Sequence, residues 1–314
     1  MIKWIQNALK ISPIVLLAAC GGNSAGTVND TPTSGNVTIS ADETFQPIIE
    51  TQVSTFQGIY KRASVTANYK TEGQVIKDLL NDSVRVAVIS RELNQEEKEV
   101  FAQRKLVPRT TKIAIDAIAL IVNNDNPDSL LTLEQVKSIF NGQTTKWNEI
   151  NSANSLNNIT IVFDNNNSST ARYVKDSLIT DHKLPGNTYA SNSHKDLIDY
   201  VEKNKNAIGV IGVNWISDED DSASIDFLKR IRVVGISTES QPLSSDTYYQ
   251  PYQAYIAQGN YPLYRYLYIV NTESRTGLGT GFASYAAGDG GQRIVLKSGL
   301  VPATQPIRVV SIKN

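Results

Sequence analysis

The 314-residue chain has a single cysteine, two histidines, and no apolar run beyond its start that could span a bilayer as a helix. A lone cysteine excludes a disulfide framework, so the fold must be stabilised by its core. His182 and His194 have neither a cysteine pair nor a His-Glu-x-x-His spacing around them, which argues against a zinc site; no metal and no cofactor are expected. The chain also lacks a G-x-x-x-x-G-K-[ST] phosphate loop, so it does not itself hydrolyse ATP. Neither sign of charge dominates: 30 Lys and Arg stand against 31 Asp and Glu, interspersed. That balance gives no footprint for nucleic acid or a polybasic membrane patch, and leaves small neutral or anionic ligands open.

What is present begins at the N-terminus. Lys3 and Lys10 supply a positive n-region ahead of a short apolar stretch from Ile11 to Leu17, and Leu17-Ala18-Ala19-Cys20 closes it as in a bacterial lipoprotein signal peptide. The expectation is that residues 1–19 are removed and that Cys20 carries lipid, each buried acyl CH₂ contributing about 0.8 kcal/mol of membrane affinity. Residues 20–35, rich in Gly, Ser, Thr, Asn and Pro, read as a flexible tether, with the fold beginning near Asn36. The protein is thus expected in the cell envelope, facing the periplasm, held to the membrane by its lipid alone.

From Asn36 onward, strand-length apolar stretches alternate with helix-period stretches: Val37–Ser40 then Glu43–Phe56, Val65–Tyr69 then Gly73–Leu80, Val84–Ile89 then Asn94–Arg104. This predicts βαβ units and a parallel sheet. The apolar run Ile113–Val122 is too long for an ordinary strand and reads as a crossing into a second lobe; Tyr264–Val270 reads as the return. Between them lie a strand at Ile159–Phe163, helices at Ser169–Leu178 and His194–Lys203, and strands at Ala207–Val213 and around Ile231–Ile236. Thr132 and Gln135 form a capping box for an amphipathic helix stopped by Asn141-Gly142. After the return come helices at Phe282–Ala287 and Gly291–Lys297 and a last strand at Ile307–Ile312. The expected division is lobe 1 at 36–115 plus 265–314 and lobe 2 at 116–264, with a ligand cleft between.

Leu131 to Ile150, LTLEQVKSIFNGQTTKWNEI, resembles a hallmark of the PstS-like phosphate-binding proteins of ABC importers. Ser90-Arg91-Glu92-Leu93, Ser168-Ser169-Thr170, the stretch Ala207 to Gly212, Tyr261 to Tyr268, and Gly290 to Pro302 agree in order and spacing. The resemblance implies the α/β type II periplasmic binding protein fold, two lobes joined by a two-strand hinge. It further implies a monomeric receptor that captures phosphate or a similar small anion for a separate permease and ATPase. The hallmark itself reads as packing, with Trp147 a large apolar plug.

Ser168, Ser169 and Thr170 stand where a strand gives way to a helix, and there present hydroxyls at a helix N-terminus. The bland alternative is an ordinary N-cap. The resemblance implies oxyanion contact from Ser168 and Thr170, with Ser169 replacing the family's glycine. Ser90 and Arg91 follow a strand at its carboxyl end, where an arginine can grip an oxyanion in fork geometry; the alternative pairs Arg91 with Glu92 or Glu96.

The departures are acidic. Asp42 and Glu43, followed by Thr44, replace the serine and threonine implied for the first strand-to-helix loop, and Asp164 stands where the family has arginine; Arg172 is a possible compensation. A carboxylate about 4 Å from a phosphate oxygen costs on the order of 4 kcal/mol at an effective dielectric near 20. One carboxylate can read the proton of monohydrogen phosphate, but three cannot. Either some cap helices or the ligand has changed, as in a PstS-like sensor or surface protein. Catalysis is not expected, since Asp42 and Glu43 read more simply as a charged cap and no histidine accompanies Ser168. Gly277 to Gly281 reads as a helix start rather than a nucleotide loop.

Overall fold

The computed structural model describes residues 30–306. The expected signal peptide, Cys20, most of the tether, and the last strand at 307–312 lie outside the described residues.

The first half opens with strand β1 (Ser34–Asp42), helix α1 (Gln46–Ile59), β2 (Arg62–Lys70), α2 (Glu72–Leu80), β3 (Val86–Ile89) and α3 (Gln95–Gln103). β1 lies between β2 and β3, parallel to both, as the alternation predicted. The expected helix from Glu43 begins instead as a 3-10 turn over Glu43–Phe45, and α1 starts at Gln46 with Pro47 in its first turn, where a missing N–H is harmless. The fold also starts earlier than Asn36. Asp30 accepts from the Leu278 backbone N–H at 2.8 Å and pairs with Arg275 at 3.2 Å, so the end of the expected tether is already seated on the body.

The run read as a crossing is one fifteen-residue strand, β4 (Arg109–Asn123). Along Arg109–Ala117 it pairs antiparallel with β11 (Tyr264–Asn271), and from Ile118 onward with β8 (Ala207–Gly212). Its partner changes between Ala117 and Ile118, where the Ile118 N–H reaches the Leu263 carbonyl at 2.8 Å.

The second half adds β5 (Leu130–Thr132), α4 (Leu133–Phe140), β6 (Thr160–Phe163), α5 (Ser169–Ser177), β7 (Thr188–Ala190), α6 (His194–Lys203), β8, α7 (Ser222–Arg230), β9 (Ile231–Val233), β10 (Gly235–Ser237) and α8 (Gln253–Ala257). β6 pairs parallel with β7 and β8, while β5 and β10 form a separate parallel pair. After β11, the chain finishes the first half with α9 (Leu278–Ala287), α10 (Asp289–Lys297) and β12 (Val301–Pro302), the last on β4.

One hydrophobic core runs through both halves, with a satellite around Val75, Leu79 and Phe101 beneath α2 and α3. The capping box of α4 is present: Gln135 N–H donates to Thr132 Oγ1 at 3.1 Å, and Thr132 N–H to Gln135 Oε1 at 2.8 Å. Among the described residues, no helix is long and apolar enough to cross a membrane.

Candidate functional site

The two halves meet over a seam of buried polar side chains. Strand β1 and the turn after it deliver Asp42, Glu43 and Thr44; the ends of β6 and α5 deliver Asp164, Ser168, Ser169 and Thr170; the two crossing strands supply Asp116 and Arg265. All of these but the half-buried Glu43 are buried.

Contacts between the halves converge on Thr44. Its hydroxyl accepts from Ser169 Oγ at 3.2 Å, and its carbonyl accepts from Asn214 Nδ2 at 2.9 Å and Trp215 Nε1 at 2.8 Å. Gly212 at the end of β8 makes this approach possible. A Cβ there would lie 2.8 Å from Thr44 Cγ2 and 2.9 Å from Arg265 Nη2, closer than side-chain atoms tolerate.

Arg265 is the cation at the centre. Its Nε donates to Asp116 Oδ2 at 2.9 Å, its Nη1 to Ser169 Oγ at 2.8 Å, and its guanidinium lies 4.5 Å over the Phe45 ring. Sequence reasoning did not single it out, although a signal existed. In the alternating strand β11, Arg265 shares the buried register with Leu267 and Ile269, and Asp116 is the one charge inside the apolar part of β4.

Asp164, placed by sequence beside the ligand, draws in the hydroxyls meant for it. Thr170 Oγ1 donates to Asp164 Oδ1 at 2.8 Å, and Ser168 Oγ lies 2.8 Å from the same oxygen. Ser168 also accepts from the Ala171 N–H at 3.2 Å, so the N-cap reading of this serine holds alongside any other role. The second oxygen, Oδ2, has no hydrogen-bond partner; His194 Nε2 lies 3.5 Å away, its ring stacked on Trp215 at 4.2 Å. Burial holds His194 below its ordinary range, so it stays neutral.

Asp42 Oδ1 caps the following turn by accepting from the Thr44 N–H at 3.1 Å, while Oδ2 is buried without a partner. Burial, reinforced by the Glu72 carboxylate and only partly offset by Arg265, pushes Asp42 up to about 7. Burial and then the Asp164 charge push Glu43 up as well, and burial outweighs Arg265 in raising Asp116.

Ser90 and Arg91 part company. Ser90 turns inward, bonded through N–H and Oγ to Glu72. Arg91 makes a fork with Glu97 at 2.8 and 2.7 Å, a pairing close to the surface alternative weighed from sequence. Glu97 is chosen over Glu92 or Glu96 because it is already positioned by the Asn94 capping box of α3. In place of Arg91, Arg172 joins Arg265 at the seam, donating to Glu72 and Ser90 from across the gap. The seam therefore presents hydroxyls from both halves and two guanidinium groups, set among the carboxylates of Asp42, Glu72, Asp116 and Asp164. Such an arrangement can bind a small polar oxyanion that brings protons of its own.

A family model described as a PBP superfamily domain matches residues 26–289. Among curated proteins, the chain is 24% identical over 271 residues to the phosphate-binding protein PstS of Staphylococcus epidermidis, covering 86% of this chain and 79% of that one. It is 25% identical over 287 residues to PstS of Staphylococcus saprophyticus, covering 91% and 85%. Among solved structures, a Clostridium perfringens protein with bound phosphate superposes with a TM-score of 0.70 at 24% identity, over 86% of this chain and all (100%) of that one. An ABC-type phosphate transport receptor from Vibrio cholerae gives 0.63 at 20% identity, over 85% and 100%.

Proposed function

The chain belongs to the PBP superfamily, and from that premise we propose that it captures phosphate or a related small oxyanion between its two halves and delivers it to the permease and ATPase of an ABC importer. Its α/β architecture is that of the type II periplasmic binding proteins. The observation that carries the reading is Ser169, which hydrogen-bonds Thr44 of the opposite half and Arg265 of the crossing strand at once. Hydroxyls at a helix N-terminus beside a fixed guanidinium are donors suited to an oxyanion, and they join the two halves where a ligand would. The relatives named as phosphate binders support phosphate as the anion. The apolar stretch ending at Cys20 supports a lipid anchor facing the periplasm.

Calorimetric titration of the chain, stripped of carried-over ligand, with phosphate and with sulfate tests this. Phosphate-selective heat is expected. Ser169→Ala should weaken it about tenfold or more, the loss of a hydrogen bond in a charged network. A second reading, a sensor or surface protein whose ligand has changed, is favoured by Asp164, whose carboxylate already satisfies the hydroxyls of Ser168 and Thr170. Absence of heat with both anions in folded protein would select it.

A further inference from the structure

Glu72 opens helix α2, and its carboxylate is buried where the first half meets Arg172 of the second. Oε1 accepts from the Ser90 N–H at 2.7 Å and from Ser90 Oγ at 2.6 Å; Oε2 accepts from Arg172 Nε at 2.5 Å. Arg172 Nη2 closes the circuit by donating to Ser90 Oγ at 2.8 Å. A backbone amide, a hydroxyl and a guanidinium, drawn from both halves, thus converge on one carboxylate. These are the donors an oxyanion takes at the carboxyl end of a strand. Beside them opens a cavity of about 400 Å³, lined from both halves by Arg91, Arg172 and Lys175 together with Glu72 and Ser168.

We propose that Glu72 is a built-in competitor, a tethered carboxylate that occupies the anion subsite of Ser90 and Arg172 and that an incoming oxyanion must displace. Its ligand arm rests on the oxyanion reading above. A tethered group competes at an effective concentration in the millimolar range or higher. Every oxyanion meets the same cost of displacing Glu72, so its apparent affinity is lowered by one common factor whatever its charge. Glu72 therefore sets a concentration threshold for entry. It is ionised in this role: burial alone would push its carboxyl up, but Arg172 and the Ser90 hydrogen bonds outweigh burial and hold it below the ordinary range. The same pair joins the two halves without a ligand.

The test compares wild type with Glu72→Gln, which keeps the side chain's shape and removes its charge. X-ray scattering measures the ligand-free proteins, and titration with nitrate and with phosphate follows. Glu72→Gln is expected to be more expanded than wild type, and phosphate and nitrate should each bind about tenfold more tightly as Arg172 becomes free for either anion. Arg172→Gln breaks the same pair from its partly exposed side, and should expand the ligand-free protein even where Glu72→Gln fails to fold. Ligand-free variants as compact as wild type, or an unchanged affinity of Glu72→Gln for phosphate and nitrate, overturn the proposal. Expansion with no anion heat in any of the proteins supports Glu72 as the subsite's occupant and overturns the oxyanion reading instead.

Discussion

The stretch from Leu131 to Ile150 and the seam between the halves both bury polar groups, yet they are finished differently. In the first, Trp147 is fully enclosed with its indole N–H on the Asn206 carbonyl at 3.0 Å, and Thr132 and Gln135 satisfy each other's backbone. Among the described residues, none of the buried side-chain atoms lacking a partner falls in this stretch. At the seam, Asp42 Oδ2, Asp164 Oδ2, His194 Nε2 and Asn214 Oδ1 all lack one. A group buried without its partner costs about 1–3 kcal/mol. The hallmark stretch is thus built for stability, while the seam holds unspent hydrogen-bonding capacity at the expense of stability.

The comparison can be broken most forcefully at Trp147. Trp147→Ala should cost about 3–5 kcal/mol, read from the denaturant midpoint, through the cavity it leaves. A loss below about 1 kcal/mol would mean the indole is not the plug of this half. The seam should respond in the opposite direction. Asp42 is raised to about 7 in the fold, so between its unfolded value of 3.8 and that point the native state binds the extra proton. Stability from this group is therefore present below about pH 4 and is lost as pH rises through about 7. Ligand-free Asp42→Asn should match wild type in acid and exceed it by a few kcal/mol above neutrality. An equal gap at both ends of the range would show that Asp42 does not titrate there. The smallest effect is expected at the α4 cap, where Thr132→Ala should cost about 1 kcal/mol with anion binding unchanged; a change in binding would show that the hallmark stretch is coupled to the seam.

What was legible in the sequence divides along the same line. The capping box, the βαβ alternation and the boundaries of α6 follow from local chemistry, and local chemistry is what one sequence displays. The run from Ile113 to Val122, too long for an ordinary strand, lies within the fifteen-residue β4, which pairs first with β11 and then with β8. The sequence reading passes over helix α7 although Ile225, Phe227 and Leu228 stand at helical spacing; only Phe227 of these three is buried. Of the expected site residues, Asp42, Thr44, Ser90, Asp164, Ser168, Ser169 and Thr170 meet at the seam, Glu43 borders it, and Arg91 is engaged by Glu97. Arg172 had been considered only as a possible compensation. Glu72 could not be picked out, because an acidic residue in a first helical turn is ordinary dipole chemistry and its partners lie 18 and 100 positions away. His194, weighed only as a metal ligand, proves to be the neighbour of Asp164.

Strand β4 carries a consequence for how the chain comes apart. Its first stretch is hydrogen-bonded to β11 and β12, its last to β8 and β9, and no break in the strand separates them. Neither half owns a complete sheet. Severing the chain into its halves would strip one of them of a central strand, exposing a row of backbone amides and carbonyls to whatever edge they next encounter. Two bodies that share a beam in this way are tied into a single cooperative unit, and the beam that lets them be distinct in shape denies them independence in folding.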